Sequence, residues 1–273
     1  MREWIALRIT PQVNRDGVIA ALFASGSQGV LEDGASLVTH FPTDASIEGI
    51  RRDVLNADPR AVVAITSVPV ADYSVWRASV SAHRVGDLVI TPPWLAAEYD
   101  SAATIVVDPA MAFGTGEHPT TRGVVELMQG VIRPGDVVAD LGAGSAVLSI
   151  AAARLGASRV AAIELDHDAI GNAEENMRAN DVADRVAVIE GDASTLLPLL
   201  APVRVVLANI ISSVLIPLLP TLRASLASDG QAILSGILCE EREAMVVALD
   251  AGAWAIEREV TEDVWWTVQI APR

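Results

Sequence analysis

The turn Asp140-Leu141-Gly142-Ala143-Gly144-Ser145-Ala146 constrains this chain more than any other segment. It follows an apolar strand-like run (136–141) and precedes a run with helical spacing (145–155). Two glycines let the backbone turn sharply and let a ligand come close without meeting a side chain. The helix start adds unsatisfied N–H donors. Around the turn, strand and helix patterns alternate. Helices are predicted over 119–130, 145–155, 167–179, 213–227 and 239–251, and strands over 136–141, 159–164, 185–190, 203–208, 231–236, 254–260 and 264–270. The central strands are continuous apolar runs, as expected of strands covered on both faces. Residues 101–273 are therefore expected to form a doubly wound, Rossmann-like α/β domain.

The first 67 residues follow another rule. Residues 3–9 alternate as a strand, and 12–25 carry Val13, Ile19, Leu22 and Phe23 at helical spacing. Asp33-Gly34 joins two strand-like runs as a hairpin. A helix over 44–57 and the strand AVVAITSV complete the order β-α-β-β-α-β, a small ferredoxin-like α+β domain. Residues 68–100, with Pro69, Pro92, Pro93, Tyr73, Trp76 and Trp94, read as a linker that becomes part of the second domain's edge through two short strand-like runs, DLVIT and ATIVVD.

Composition excludes several classes. The 19 basic residues face 35 acids, a net charge of −16, and all 19 are arginine. Residues 101–273 hold 11 arginines against 23 acids. Such a chain is poorly suited to gripping a phosphate backbone, so no direct nucleic-acid partner is expected, and a basic partner suits it better. One cysteine, Cys239, excludes a disulfide framework and a cysteine-built zinc site. No His, Cys and carboxylate cluster has ligand spacing, so no metal is expected. The start shows no charged segment leading into an apolar one. The most apolar stretch, 203–227, carries Asn209, Pro217, Pro220 and Arg223 and is no membrane span. A cytoplasmic monomer is expected.

Five places carry candidate chemistry. A G-x-G turn serves both dinucleotide-binding folds and S-adenosylmethionine-dependent methyltransferases, or it is a tight turn without a ligand. The third glycine of a dinucleotide site is missing. Asp140 is unsuited to a pyrophosphate and suited to an amino-acid ammonium group. Glu164, at the end of the next strand, can accept both ribose hydroxyls of either cofactor. Asp166 and Asp168 read as capping acids of the following helix. Asp192 reads equally as an acceptor for the adenine amine and as a turn acid. Asn209 ends the fourth strand, where ligands of open sheets sit. Its side-chain oxygen can accept a hydrogen bond from an attacking amine, unless it only closes the strand. In the run 108–122, Phe113, Gly114, Thr115, Gly116, His118 and Thr121 can close over an amino-acid carboxylate. Phe113 covers an apolar face or shapes an amine channel. His118 is a candidate base, but a lone histidine in a glycine-rich loop is more often structural.

The runs DPAMAFGTGEHPTTR, DLGAGSAVLSIAAARLGA, IELDHDAI, ANI and LSGIL occur in this order and spacing. From about Trp76 to the end, the chain resembles the ribosomal protein L-eleven methyltransferases, the PrmA family. FGTGxHxTT is the specific part of the match. The resemblance implies a class I S-adenosylmethionine-dependent methyltransferase domain behind a small substrate-recognition domain. The implied reaction is N-methylation of lysine ε-amino groups and the N-terminal α-amino group of one large-subunit ribosomal protein. By position, Phe113, Gly114, Thr115 and His118 belong to the family's loop, and Gly142 and Gly144 to its cofactor turn. Glu164 takes the place of the ribose acid, and Asn209 lies beside the transferred methyl. Phe113 and Asn209 are thus the catalytic candidates. Three departures stand out: Ala146 for the usual glycine, Glu164 for the more common Asp, and Trp76-Arg77 for Trp-Lys.

Other readings lead elsewhere. A methyltransferase of this fold can act on another protein or a small amine. A nicotinamide-dependent oxidoreductase lacks support from the third glycine. A nucleic-acid amino-methyltransferase usually follows this Asn with Pro-Pro and an aromatic, whereas Ile210, Ile211 and Ser212 follow here. A non-catalytic binding module would keep the fold alone.

Overall fold

The structure, a computed structural model, describes residues 4–27, 30–42, 45–66, 80–108 and 116–273. The chain divides into two units, Met1–Ser79 and Val80–Arg273. Trp76, Arg77, Phe113, Gly114 and Thr115 lie outside the described residues.

In the first unit the order is β1 (Trp4–Thr10), α1 (Arg15–Ala24), β2 (Val30–Asp33), β3 (Ser36–Pro42), α2 (Ile47–Ala57) and β4 (Val62–Thr66). The antiparallel sheet runs β2-β3-β1-β4. Asp33 pairs with Ser36, so Gly34 and Ala35 make the hairpin, with Gly34 at φ +58°. Leu7, Ile9, Val18, Leu22, Phe41 and Val54 form its core. Asp58 is buried against the entry to α1. Its carboxylate accepts from the backbone N–H of Gln12 and Val13, both at 2.7 Å, Asn14 at 3.1 Å and Arg60 at 3.0 Å. Burial opposes its ionisation, but these four donors outweigh burial and bring its pKa down to about 2.

The second unit, Val80–Arg273, opens with short strands. β5 (His83–Val85), β6 (Leu88–Thr91), a 3-10 turn (Pro93–Glu98) and β7 (Thr104–Val106) build a three-stranded sheet. Val85, Leu88, Ile90 and Ile105 join the unit's core. The strand-like runs DLVIT and ATIVVD hold β6 and β7, the three residues of β5 leave little periodic signal, and Pro93 starts a helical turn rather than breaking one.

The main sheet carries β8 (Val137–Leu141), β9 (Arg159–Glu164), β10 (Val186–Glu190), β11 (Val203–Asn209), β12 (Leu226–Leu238), β13 (Trp254–Glu262) and β14 (Trp265–Pro272). Its order is β10-β9-β8-β11-β12-β14-β13. The first five strands in that order run parallel, and β14 is antiparallel to both neighbours. The helices are α3 (Pro119–Met128), α4 (Val147–Arg154), α5 (His167–Ala179), α6 (Ala193–Leu200), α7 (Ser212–Ser225) and α8 (Arg242–Ala251). Two buried apolar clusters fill the unit, one including Val138, Ile150 and Val160, the other Leu141, Leu218 and Trp266. Order reverses at β8, so β9 and β11 leave it on opposite sides and a crevice opens beyond their carboxyl ends.

Candidate active site

Local geometry explains the glycine-rich turn. Gly142 sits at φ +70°, and an added Cβ would lie 2.7 Å from the Ile210 side chain. Gly144 (φ +52°) donates its N–H to Glu164 at 2.7 Å. The other Glu164 oxygen accepts from the Asp166 N–H at 2.9 Å. One carboxylate therefore ties the turn after β8 to the end of β9, a role that its position in the sequence does not reveal. Ala146 occupies φ +63° and is fully buried. The left-handed conformation explains the glycine usual in the resembled family; alanine there bears a cost of about 1 kcal/mol.

A cavity of about 540 Å³ opens beside this turn. Gly142, Glu164 and Asp192 line it together with apolar Ile163, Leu165 and Ile210. That size suits a drug-sized ligand, with a few polar groups among apolar walls. Glu164 stands at the strand end where a ribose acid is needed. Asp192 lines the cavity and caps α6, accepting from the Ser194 N–H at 2.7 Å and hydroxyl at 2.5 Å. Those Ser194 bonds hold its carboxyl below the usual range. Asp166 caps α5 through the Asp168 N–H at 2.9 Å.

A second cavity, of about 400 Å³, adjoins the first, and Ile210 and Val214 line both. Its other walls are His118, Thr120, Asn209, Ile211, Gly236 and Trp265. The Asn209 amide donates to the Thr121 hydroxyl at 3.4 Å. Gly236 lies at an irregularity in the β12–β14 pairing, at φ +82°, where a Cβ would lie 2.7 Å from the Ile210 carbonyl oxygen. The Ser235 hydroxyl links the Thr120 carbonyl (3.1 Å) to the Thr267 hydroxyl (2.7 Å), fixing the start of α3 on β12 and β14. The His118 ring meets Trp265 edge-on at 4.9 Å, and its Nδ1 faces the Thr120 hydroxyl at 2.7 Å. Burial, then the Arg122 charge, lowers the His118 pKa, which favours the neutral imidazole.

The expected cofactor residues thus divide. Gly142, Glu164 and Asp192 line the first cavity; Asn209 and His118 line the second. Thr121 is buried behind Asn209, and Gly116 packs on Ile90; neither lines either cavity. Asp140 departs from its expected part. It is fully buried and lines neither cavity, so the structure does not present it to an ammonium group. It lies beneath the turn, where Oδ2 accepts from the Ser149 hydroxyl at 2.6 Å and Oδ1 has no partner. Burial outweighs the Ser149 hydrogen bonds and raises its pKa to about 7. Trp265, Val214 and Ile211 were not legible as site residues, because each reads as an ordinary apolar position of a strand or helix.

Comparison with known proteins decides the family. The sequence model described as "Ribosomal protein L11 methyltransferase (PrmA)" matches residues 14–272. The chain belongs to the PrmA family. Curated relatives named ribosomal protein L11 methyltransferase, from Bacillus cereus (strain G9842) and Bacillus anthracis, are 32% identical over 249 residues. Those matches cover 85% of this chain and 78% of the relative. A solved ribosomal protein L11 methylase from Lactobacillus delbrueckii subsp. bulgaricus is 29% identical, with a TM-score of 0.63. It covers 71% of this chain and 100% of its own. This PrmA member is a methyltransferase that uses S-adenosylmethionine. The first cavity fits that cofactor: a close-approach glycine, an acid at the strand end for a diol, and apolar walls for a base.

Proposed function

We propose that the enzyme methylates lysine ε-amino groups and the N-terminal α-amino group of ribosomal protein L11, with the first cavity holding the cofactor and the second admitting the amine. The observation that carries this is the shared wall of the two cavities, at Ile210 and Val214, with Asn209 beside it. Bound S-adenosylmethionine supplies an electrophilic methyl group on a sulfonium. The protein's residues then have a positioning task. Glu164 accepts the ribose hydroxyls. The Asn209 amide nitrogen is committed to Thr121, which leaves its oxygen as the acceptor for an N–H of the incoming amine.

The amine must be neutral to attack, whereas a free lysine titrates near 10.4. Ile210, Ile211, Val214 and Trp265 give the second cavity apolar walls, and removal from water disfavours an ammonium. We further assign substrate recognition to the N-terminal domain, expected over 1–67, on the family resemblance; its separate core supports only a distinct folding unit. A ribosomal-protein substrate is the support for cytoplasmic action.

The test is methyl transfer from labelled S-adenosylmethionine to purified L11, followed by mass spectrometry. Methylated amines with the wild type, and a drop of about a hundredfold in kcat with Asn209→Ala, are expected. No transfer by a protein that binds the cofactor in calorimetry would overturn the substrate and keep the fold.

A further inference from the structure

Arg122 lies in the first turn of α3, four residues after His118. Its Nε contacts both carboxylate oxygens of Glu262, at 3.1 and 3.2 Å, and its Nη2 contacts one of them at 2.5 Å. Its Nη1 donates to the Gly116 carbonyl at 3.2 Å and to the Glu117 carbonyl. Glu262 ends β13 and pairs directly with Trp265 across the turn into β14. One guanidinium therefore joins the segment that carries His118 to the hairpin that carries Trp265, and these two rings face each other in the second cavity. The arginine side chain is 19% exposed and the glutamate 41%, so the guanidinium is the shielded partner. A two-oxygen charge-assisted contact fixes orientation as well as distance.

We propose that the Arg122–Glu262 pair is a strut that sets the separation of the His118 and Trp265 walls, and thereby positions the acceptor amine. Both are positioning residues; neither lines the cavities. The proposal rests on the second cavity being the acceptor site. Neither strut residue lines the first cavity, although Arg122 holds the Gly116 carbonyl of the loop expected to close over the cofactor, so cofactor affinity is measured alongside acceptor affinity.

The experiment compares wild type, Glu262→Gln, Arg122→Lys and the charge-reversed pair Arg122→Glu/Glu262→Arg, with a melting curve to confirm folding. For each single variant, KM for L11 is expected to rise about tenfold or more, while calorimetric Kd for S-adenosylmethionine stays within about twofold. The reversed pair is expected to recover part of the loss. An unchanged acceptor KM in folded variants overturns the strut, as does parallel weakening of acceptor and cofactor. A second readout does not depend on the acceptor: the His118 pKa measured by NMR in Glu262→Gln. Loss of the carboxylate alone leaves Arg122 unneutralised and pushes His118 further down, whereas a widened cavity lets water in and brings it up. A rise supports the strut and no rise overturns it, even if wild type fails to methylate L11 and only the substrate assignment falls.

Discussion

At Gly236 a single methyl group would meet the backbone of Ile210 at 2.7 Å on a residue at φ +82°. Gly236→Ala is expected to cost about 2 kcal/mol or more in urea unfolding, and to weaken acceptor binding more than cofactor binding. Asp140 makes an opposite kind of prediction. Its pKa is about 7 in the fold and about 3.9 unfolded. Between those values the unfolded chain has released a proton that the folded chain keeps. Stability of the second unit should therefore fall as pH rises from about 4 to 7, by on the order of 4 kcal/mol. Asp140→Asn removes the titration and should flatten the profile, with its advantage over wild type confined to the upper end. Denaturation at a series of pH values in the cofactor-free protein checks this. From the sequence, Asp140 looked like a ligand acid because its place beside the turn was visible, while the side of β8 that it occupies was not. That Glu164 and Asp192 line the crevice follows from their place at or just past a strand's carboxyl end, whatever the rotamer.

Secondary elements with a strong period were read closely. α5 matches its predicted span, 167–179, and β9 its span of 159–164. α6 was missed: eight residues, Pro198 and the unbroken run LLPLL give neither a helical nor a strand period. β5 is three residues long and was missed for want of length. The Trp265 wall of the second cavity depends on β14 lying between β12 and β13, a strand order that no local pattern states. In the first unit, α1 starts under a carboxylate from 44 residues away, the Asp58 bond to Asn14. Asp58 has a depressed pKa, so its contribution is present above about pH 4 and lost as pH falls toward about 2. Asp58→Asn is expected to lower the first unit's melting temperature at pH 7 and to leave it nearly unchanged at pH 2, as circular dichroism would show. Ser46 accepts from the Gly49 N–H at 3.2 Å as the cap of α2, and Ser46→Ala should cost about 1 kcal/mol.

Across the whole molecule, the acid excess is concentrated in residues 101–273. A basic acceptor protein would then be drawn in by long-range attraction, which salt screens beyond about 10 Å at 0.1 M. Raising salt from about 50 to 500 mM should lower kcat/KM for L11 by roughly tenfold, with a much smaller change in cofactor Kd; steady-state kinetics at several salt concentrations decide it. No helix among the described residues is long and apolar enough to cross a membrane. The two adjoining cavities, at about 540 and 400 Å³, also suggest how the enzyme can be blocked. A nucleoside joined by a short tether to an alkylamine would occupy both at once. The second half would then bind at the high local concentration that tethering creates, so the joined molecule should hold far more tightly than either fragment. A tether too short to pass Ile210 and Val214 would forfeit that gain, making inhibitor length a ruler for the passage between donor and acceptor.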